Sequence, residues 1–136
     1  MLTFDNPDGV APPQARYSQV AVIDLGSARM IVPAGQTSTG LDGELIGAGD
    51  FRAQASRAFD NILGILAAHG AEASDIVKTT YYITDMAHRA DLASVRDEKL
   101  GDHEAASTLL EVAGLASPDY LIEIDVIAVV SAVVAP

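Results

Sequence analysis

The sequence has no cysteine and no tryptophan. Without cysteine there is no disulfide, no thiolate nucleophile and no Cys-ligated zinc. Aromatic residues make up only 5% of the chain, so the core must be built from aliphatic and small side chains. Basic residues are also scarce: 8 Lys and Arg stand against 19 Asp and Glu, for a formal net charge of −11. A surface of that sign repels phosphate backbones and anionic lipid, so neither nucleic acid nor a membrane is an expected partner. No apolar run reaches the roughly 18 residues of a membrane-spanning helix. The longest candidate, Val126 to Pro136, is too short and rich in β-branched residues. Met1 to Pro13 has neither the basic start nor the apolar core of a signal peptide. A soluble, cytoplasmic protein is expected. The three histidines, His69, His88 and His103, follow no ligand spacing such as HExxH, so no metal is expected.

What is present reads as one domain spanning residues 1–136. The length suits a single domain, and 49% of its residues are hydrophobic. Residues 1–15 are expected to be an irregular entry segment, broken by Pro7-Asp8-Gly9 and Pro12-Pro13. Tyr17 to Asp24 and Arg29 to Ala34 read as strands. Asp42-Gly43 is a tight-turn pair expected to fold a short third strand, Glu44 to Ile46, back on the second. Asp50 can cap a following helix. In that helix Ala55, Ala58, Phe59, Ile62, Leu63 and Leu66 share one side, and Gly70 is suited to end it. Ile76 to Thr84 alternates as a strand. Asp85 to Leu100 reads as a second helix stopped by Gly101, and Ser107 to Ala113 and Tyr120 to Val130 as the last strands. The order β-β-β-α-β-α-β-β predicts an α+β domain: one mixed sheet with both helices on one face. The final strand is apolar on both faces apart from Glu123 and Asp125. Two helices cover only one face of a sheet, so the other needs a partner, and a homo-oligomer is expected.

Several stretches carry a resemblance. They are Ile31 to Gln36, Gln54 to Leu66 with Phe59-Asp60-Asn61-Ile62, Asp75 to Thr80, Asp85-Met86, Leu110 to Ala113 and Ile122 to Ala128. In this order, over roughly Asn6 to Val130, the chain resembles the Rid family (reactive intermediate deaminases, also called YjgF-like or L-PSP proteins). The resemblance implies a chorismate-mutase-like fold, a homotrimer around a central barrel, and sites in clefts between subunits. It implies hydrolysis of small enamines and imines, such as 2-aminoacrylate, to a keto acid and ammonia without a cofactor. A family arginine clamps the substrate carboxylate, as a planar guanidinium does well. A water, oriented by a carboxylate and backbone groups, attacks the imine carbon.

By the same resemblance Tyr17 matches the site tyrosine, Gly35 the glycine bordering the pocket with Gln36 after it, and Glu123 the glutamate beside the attacking water. The arginine position falls on Ser107, the helix-two asparagine on Ala93 and the serine before the glycine on Ala34. The chain thus resembles a member lacking the carboxylate arginine, whose substrate is not a simple 2-imino acid. Ser107 and Thr108 offer hydroxyls to a neutral polar group instead. A trimer that holds a small ligand or a partner without chemistry, or a specialised-pathway cyclase or hydrolase, fits the same substitutions.

Among single residues, Glu123 lies between Ile122 and Ile124. An apolar setting there raises a carboxyl pKa and suits it to acid–base work; a structural acid bonded to backbone amides is the competing reading. Asp125 shares its face; paired carboxylates can divide acid and base roles, but solvation or a salt bridge to Lys78 is the expectation. Tyr17 suits either a ligand hydrogen bond or an interface. His103 precedes the Ser107 strand and can reach a cleft there. Arg16 and Arg96 are the arginines placed to replace the missing clamp from another direction.

Overall fold

A computed structural model describes residues 1–131; the last five residues of the apolar run Val126 to Pro136 lie outside them. The strands are β1 (Leu2–Asp5), β2 (Val20–Asp24), β3 (Ala28–Pro33), β4 (Ile76–Ile83), β5 (Ala106–Glu111) and β6 (Ile122–Ser131), and the helices α1 (Phe51–Ala68) and α2 (Arg89–Leu100). The order of strands and helices is the one expected, but one strand differs. Leu2–Asp5, placed in the irregular entry, is a strand paired antiparallel with β2. Its four side chains are all exposed, so no buried face left a hydrophobic signal. The strand expected at Glu44 to Ile46 is reduced to a single bridge, Thr39 to Leu45. The Asp42-Gly43 turn does form, with the Gly43 amide donating to Gly40 O at 3.0 Å. It folds residues 39–45 on themselves because α1 holds the outgoing chain: Asn61 Nδ2 donates to Thr37 O and Thr39 O, and Arg57 Nε to Thr39 O.

The six strands form one sheet in the order β1-β2-β3-β6-β4-β5. All pairs are antiparallel except β4 with β5. That parallel pair needs a crossover, which α2 supplies. Asp50 caps α1 by accepting from the Ala53 amide at 3.1 Å. Gly70, at φ +76°, ends it in the left-handed region that costs glycine little. The face of α1 carrying Ala55, Ala58, Phe59, Ile62 and Leu66 is fully buried against Ile122, Ile124, Val126 and Ala128 of β6 and their neighbours. Each large aliphatic chain so buried contributes about 1.5–3 kcal/mol. The helix expected from Asp85 begins with a 3-10 turn, Met86–His88, in which Asp85 accepts from the Ala87 amide. The His88 ring then stacks on Phe51 of α1, with centroids 4.4 Å apart.

The second face of the sheet is open within one chain, and it is divided. Register places Ala21, Ile23, Met30, Val32, Ile127 and Val129 together on one half, all partly exposed. Glu123, Asp125, Thr80, Tyr82 and Lys78 occupy the other half with Thr108.

Candidate functional site

The sheet brings three of the expected residues to one spot. After β3 the chain bends across β6: the Gln36 amide donates to Ile124 O at 2.8 Å, and the Ile124 amide donates to Gln36 O at 2.9 Å. This bridge lays Gly35 against Glu123. A Cβ on Gly35 would collide with the Glu123 carboxylate, whose Cδ would stand 3.0 Å away. Only glycine lets the backbone approach that carboxylate so closely.

Gln36 is 3% exposed, and its side chain serves the interior. Its Nε2 donates to Gln19 Oε1 at 2.7 Å and to Ala34 O at 3.1 Å. Gln19 Nε2 in turn donates to Ala11 O at 2.7 Å. These buried amides fix the 34–36 bend, and through it the wall facing Glu123. Gln36, expected to bind substrate, therefore acts on this wall through the backbone it holds.

Glu123 and Asp125 share the open face, two residues apart on β6. Burial, and then the nearby Asp125 charge, raise the Glu123 pKa above the ordinary glutamate value. Burial likewise raises Asp125. The pair can therefore hold a proton where an exposed carboxyl would have lost it. Of the two expected readings of Asp125, the salt bridge to Lys78 does not form among the described residues. Lys78 Nζ donates to Thr108 Oγ1 at 2.7 Å instead.

Tyr17 lies ahead of β2, not on it as expected, because that strand begins only at Val20. It is 45% exposed, and its hydroxyl accepts from the Gln14 amide at 3.2 Å. With Ala34, Val32 and Phe4 it lines a shallow hollow beside the Gly35 bend. Thr108 shares Glu123's face but stands two strands away, across β4. Ser107 pairs with Thr79, on the side of the sheet that carries the helices. There it borders a cleft of about 660 Å³ between the β4–β5 edge and α2, together with Tyr81, Arg96 and His103. Within one chain, Ser107 and Glu123 thus belong to opposite sides of the sheet.

The profile of the family described as Endoribonuclease L-PSP matches residues 9–130. A 2-iminobutanoate/2-iminopropanoate deaminase of Escherichia coli K12 is 36% identical over 121 residues, covering 86% of this chain and 91% of that protein. The chain belongs to the Rid family. A RutC family protein of Pyrococcus abyssi is 35% identical over 128 residues, covering 94% of both chains. The crystal structure of the Rid protein YyfA from Yersinia pestis superposes with a TM-score of 0.85 at 25% identity, covering 96% of this chain and all of that one.

Sequence reasoning passed over Gln19, whose 3% exposure reflects its place in the glutamine relay. It also passed over Tyr81, placed on a strand face without regard to its hydroxyl. The only signal for either was a polar atom inside an apolar strand pattern.

Proposed function

We propose that the chain hydrolyses the C=N bond of a small enamine or imine, releasing ammonia, in a cleft completed by a second copy of the chain. Glu123 is the acid–base group: it orients the water that adds to the imine carbon and returns a proton to the departing nitrogen. Gly35 lines the site with backbone beside that carboxylate, and Tyr17 closes its outer edge. The observation that carries this reading is the Glu123 carboxylate, held proton-ready by burial and laid against the Gly35 backbone. The deaminase activity named for the Escherichia coli relative supports it.

A homotrimer accounts for two features together. It would cover the apolar half of the open face, and it would let the Ser107 side of one copy meet the Glu123 side of the next. Ser107 leaves no cation on β5 where the family's arginine would stand, so the substrate is not a simple 2-imino acid clamped at that position. Ser107 and Thr108 present hydroxyls along the same strand. The ribonuclease activity in the name of the matching profile is not carried over, because a net charge of −11 provides no electrostatic footprint for RNA.

The test is ammonia release from freshly generated imines of graded size and charge. Glu123→Gln is expected to lower kcat by about 100-fold or more with little change in KM. Turnover unaffected by Glu123→Gln on every imine hydrolysed would overturn the assignment.

A further inference from the structure

The segment between β1 and β2 holds a reactive pair that the proposed site does not use. The sequence contains two Asp-Gly steps, Asp8-Gly9 and Asp42-Gly43. Such a step can rearrange without an enzyme, because no Cβ on the second residue hinders its amide nitrogen from reaching the aspartyl carboxyl. The nitrogen bonds to Cγ, and water leaves, made from the carboxyl hydroxyl and the amide proton. A five-membered succinimide ring results. Water then reopens the ring at the α carbonyl, breaking the original peptide C–N bond. The chain now runs through Cβ and Cγ, and the free carboxylate sits on Cα. No atom is gained or lost overall, and water is the sole co-reactant.

The two steps differ in how tightly the fold holds them. The Gly43 amide is engaged, donating to Gly40 O at 3.0 Å. The Gln14 side chain packs there as well, with Oε1 3.2 Å from where a Gly43 Cβ would stand. Asp8 and Gly9 are both exposed. The Gly9 amide has no backbone partner among the described residues, and nothing lies within 4 Å of the place its Cβ would take. The Asp8 carboxyl and the Gly9 nitrogen can therefore turn toward each other, whereas closing a ring at Asp42 must first break the Gly43 bond.

Asp8-Gly9 lies between the two points that anchor Gln19. On one side Asn6 Oδ1 accepts from the Gln19 amide at 2.8 Å. On the other, Ala11 O accepts from Gln19 Nε2 at 2.7 Å. Gln19 is 3% exposed, and through Gln36 it fixes the bend at Gly35. We propose that Asp8-Gly9 is a spontaneous isoaspartyl modification site, and that the modified link loosens the Gln19 anchorage. The rearrangement inserts one extra backbone atom between Asn6 and Ala11, so both anchors cannot keep their positions unstrained. A buried amide that loses such partners costs stability. The wall facing Glu123 then shifts, and turnover falls. That last step rests on the reading of Glu123 given above; the modification does not.

The test is to age the full-length protein for weeks in mildly acidic buffer at physiological temperature. Wild type, Asp8→Glu and Asp42→Glu are compared. Glutamate keeps the charge but would have to close a slower, six-membered ring. Electron-transfer fragmentation of the tryptic peptides Met1–Arg16 and Met30–Arg52 distinguishes aspartyl from isoaspartyl links. Isoaspartate is expected to accumulate at least tenfold faster at Asp8 than at Asp42, and to be absent at position 8 in Asp8→Glu. The isomerised fraction, separated by chromatography, should melt at least a few degrees lower than fresh protein. Aged Asp8→Glu should keep its melting temperature, and aged Asp42→Glu should lose stability as wild type does. Isomerisation at Asp42 as fast as at Asp8, no isoaspartate at Asp8, or an isomerised fraction that melts like fresh protein would each overturn the proposal. A protein that isomerises at Asp8 and melts lower but hydrolyses no imine even when fresh would refute the deaminase reading and leave this site standing.

Discussion

Glu123, the proposed acid–base group, carries a cost. Its pKa is raised in the folded chain, chiefly by burial. A raised carboxyl contributes stability that is full below its unfolded pKa and is lost as pH climbs through the folded value. At neutral pH the ionised Glu123 therefore destabilises the fold, as Asp125 does for the same reason. Glu123→Gln should raise the melting temperature at pH 7 relative to wild type, with the gain shrinking toward pH 4. Thermal melts across that range check it; a gain larger at pH 4 would contradict the burial argument. Gly35→Ala should lower kcat at least tenfold, because the methyl group must displace the Glu123 carboxylate. A crystal structure of that variant with Glu123 unmoved would show the contact to be unimportant. Glu123 stood out in the sequence through its place between Ile122 and Ile124 together with its match to the glutamate that the family resemblance implies. Gln19 and Gln36 were not, because a buried amide is visible only once its partners are placed.

Among elements, α1 shows which patterns a sequence states plainly and which it hides. The apolar periodicity from Ala55 to Leu66, the Asp50 cap and the Gly70 stop all translate directly into structure. Gln54 does not: it is fully buried on the same helix and ties two loops together. Its Nε2 donates to Gly47 O and Asp119 O, and its Oε1 accepts from the Leu121 amide. Gln54→Ala should cost about 2–3 kcal/mol, since it strands these backbone groups. Phe59→Ala should cost about 3–5 kcal/mol by leaving a cavity over Tyr81. Urea denaturation measures both, with losses under half these values counting against the packing described. The strand at Leu2–Asp5 was hidden for a different reason: with four exposed side chains, it is specified by backbone pairing to β2 and not by a buried face. The hairpin expected at Glu44 to Ile46 failed because the turn chemistry was right while the capture of Thr37 and Thr39 by α1 lay 18 to 24 residues away in sequence.

For the whole molecule, the open face is the decisive surface. Its apolar half was readable from the two-faced pattern of the last strand, and its polar half at Glu123 and Asp125 from the same string. If three copies close on one another across it, Ile127→Asp should yield monomers, because the substitution places a charge on the apolar patch. Light scattering should then report about 14 kDa in place of three times the 14.1 kDa chain mass, and imine turnover should fall with it. A trimer that persists in Ile127→Asp would mean that another surface joins the copies. The side of the sheet that bears Ser107 could not be read from the sequence. Which way a residue faces on an edge strand depends on its register with β4, and that register is set across the α2 crossover.

The last of the described strands in chain order, β6, occupies the middle of the sheet, wedged between β3 and β4. During translation the ribosome therefore releases two unfinished half-sheets, each with a raw edge, that cannot join until Ile122–Ser131 has emerged. Pairings that span about a hundred residues also slow folding. A nascent Rid chain stalled before that stretch should be protease-sensitive along most of its length and a client for chaperones.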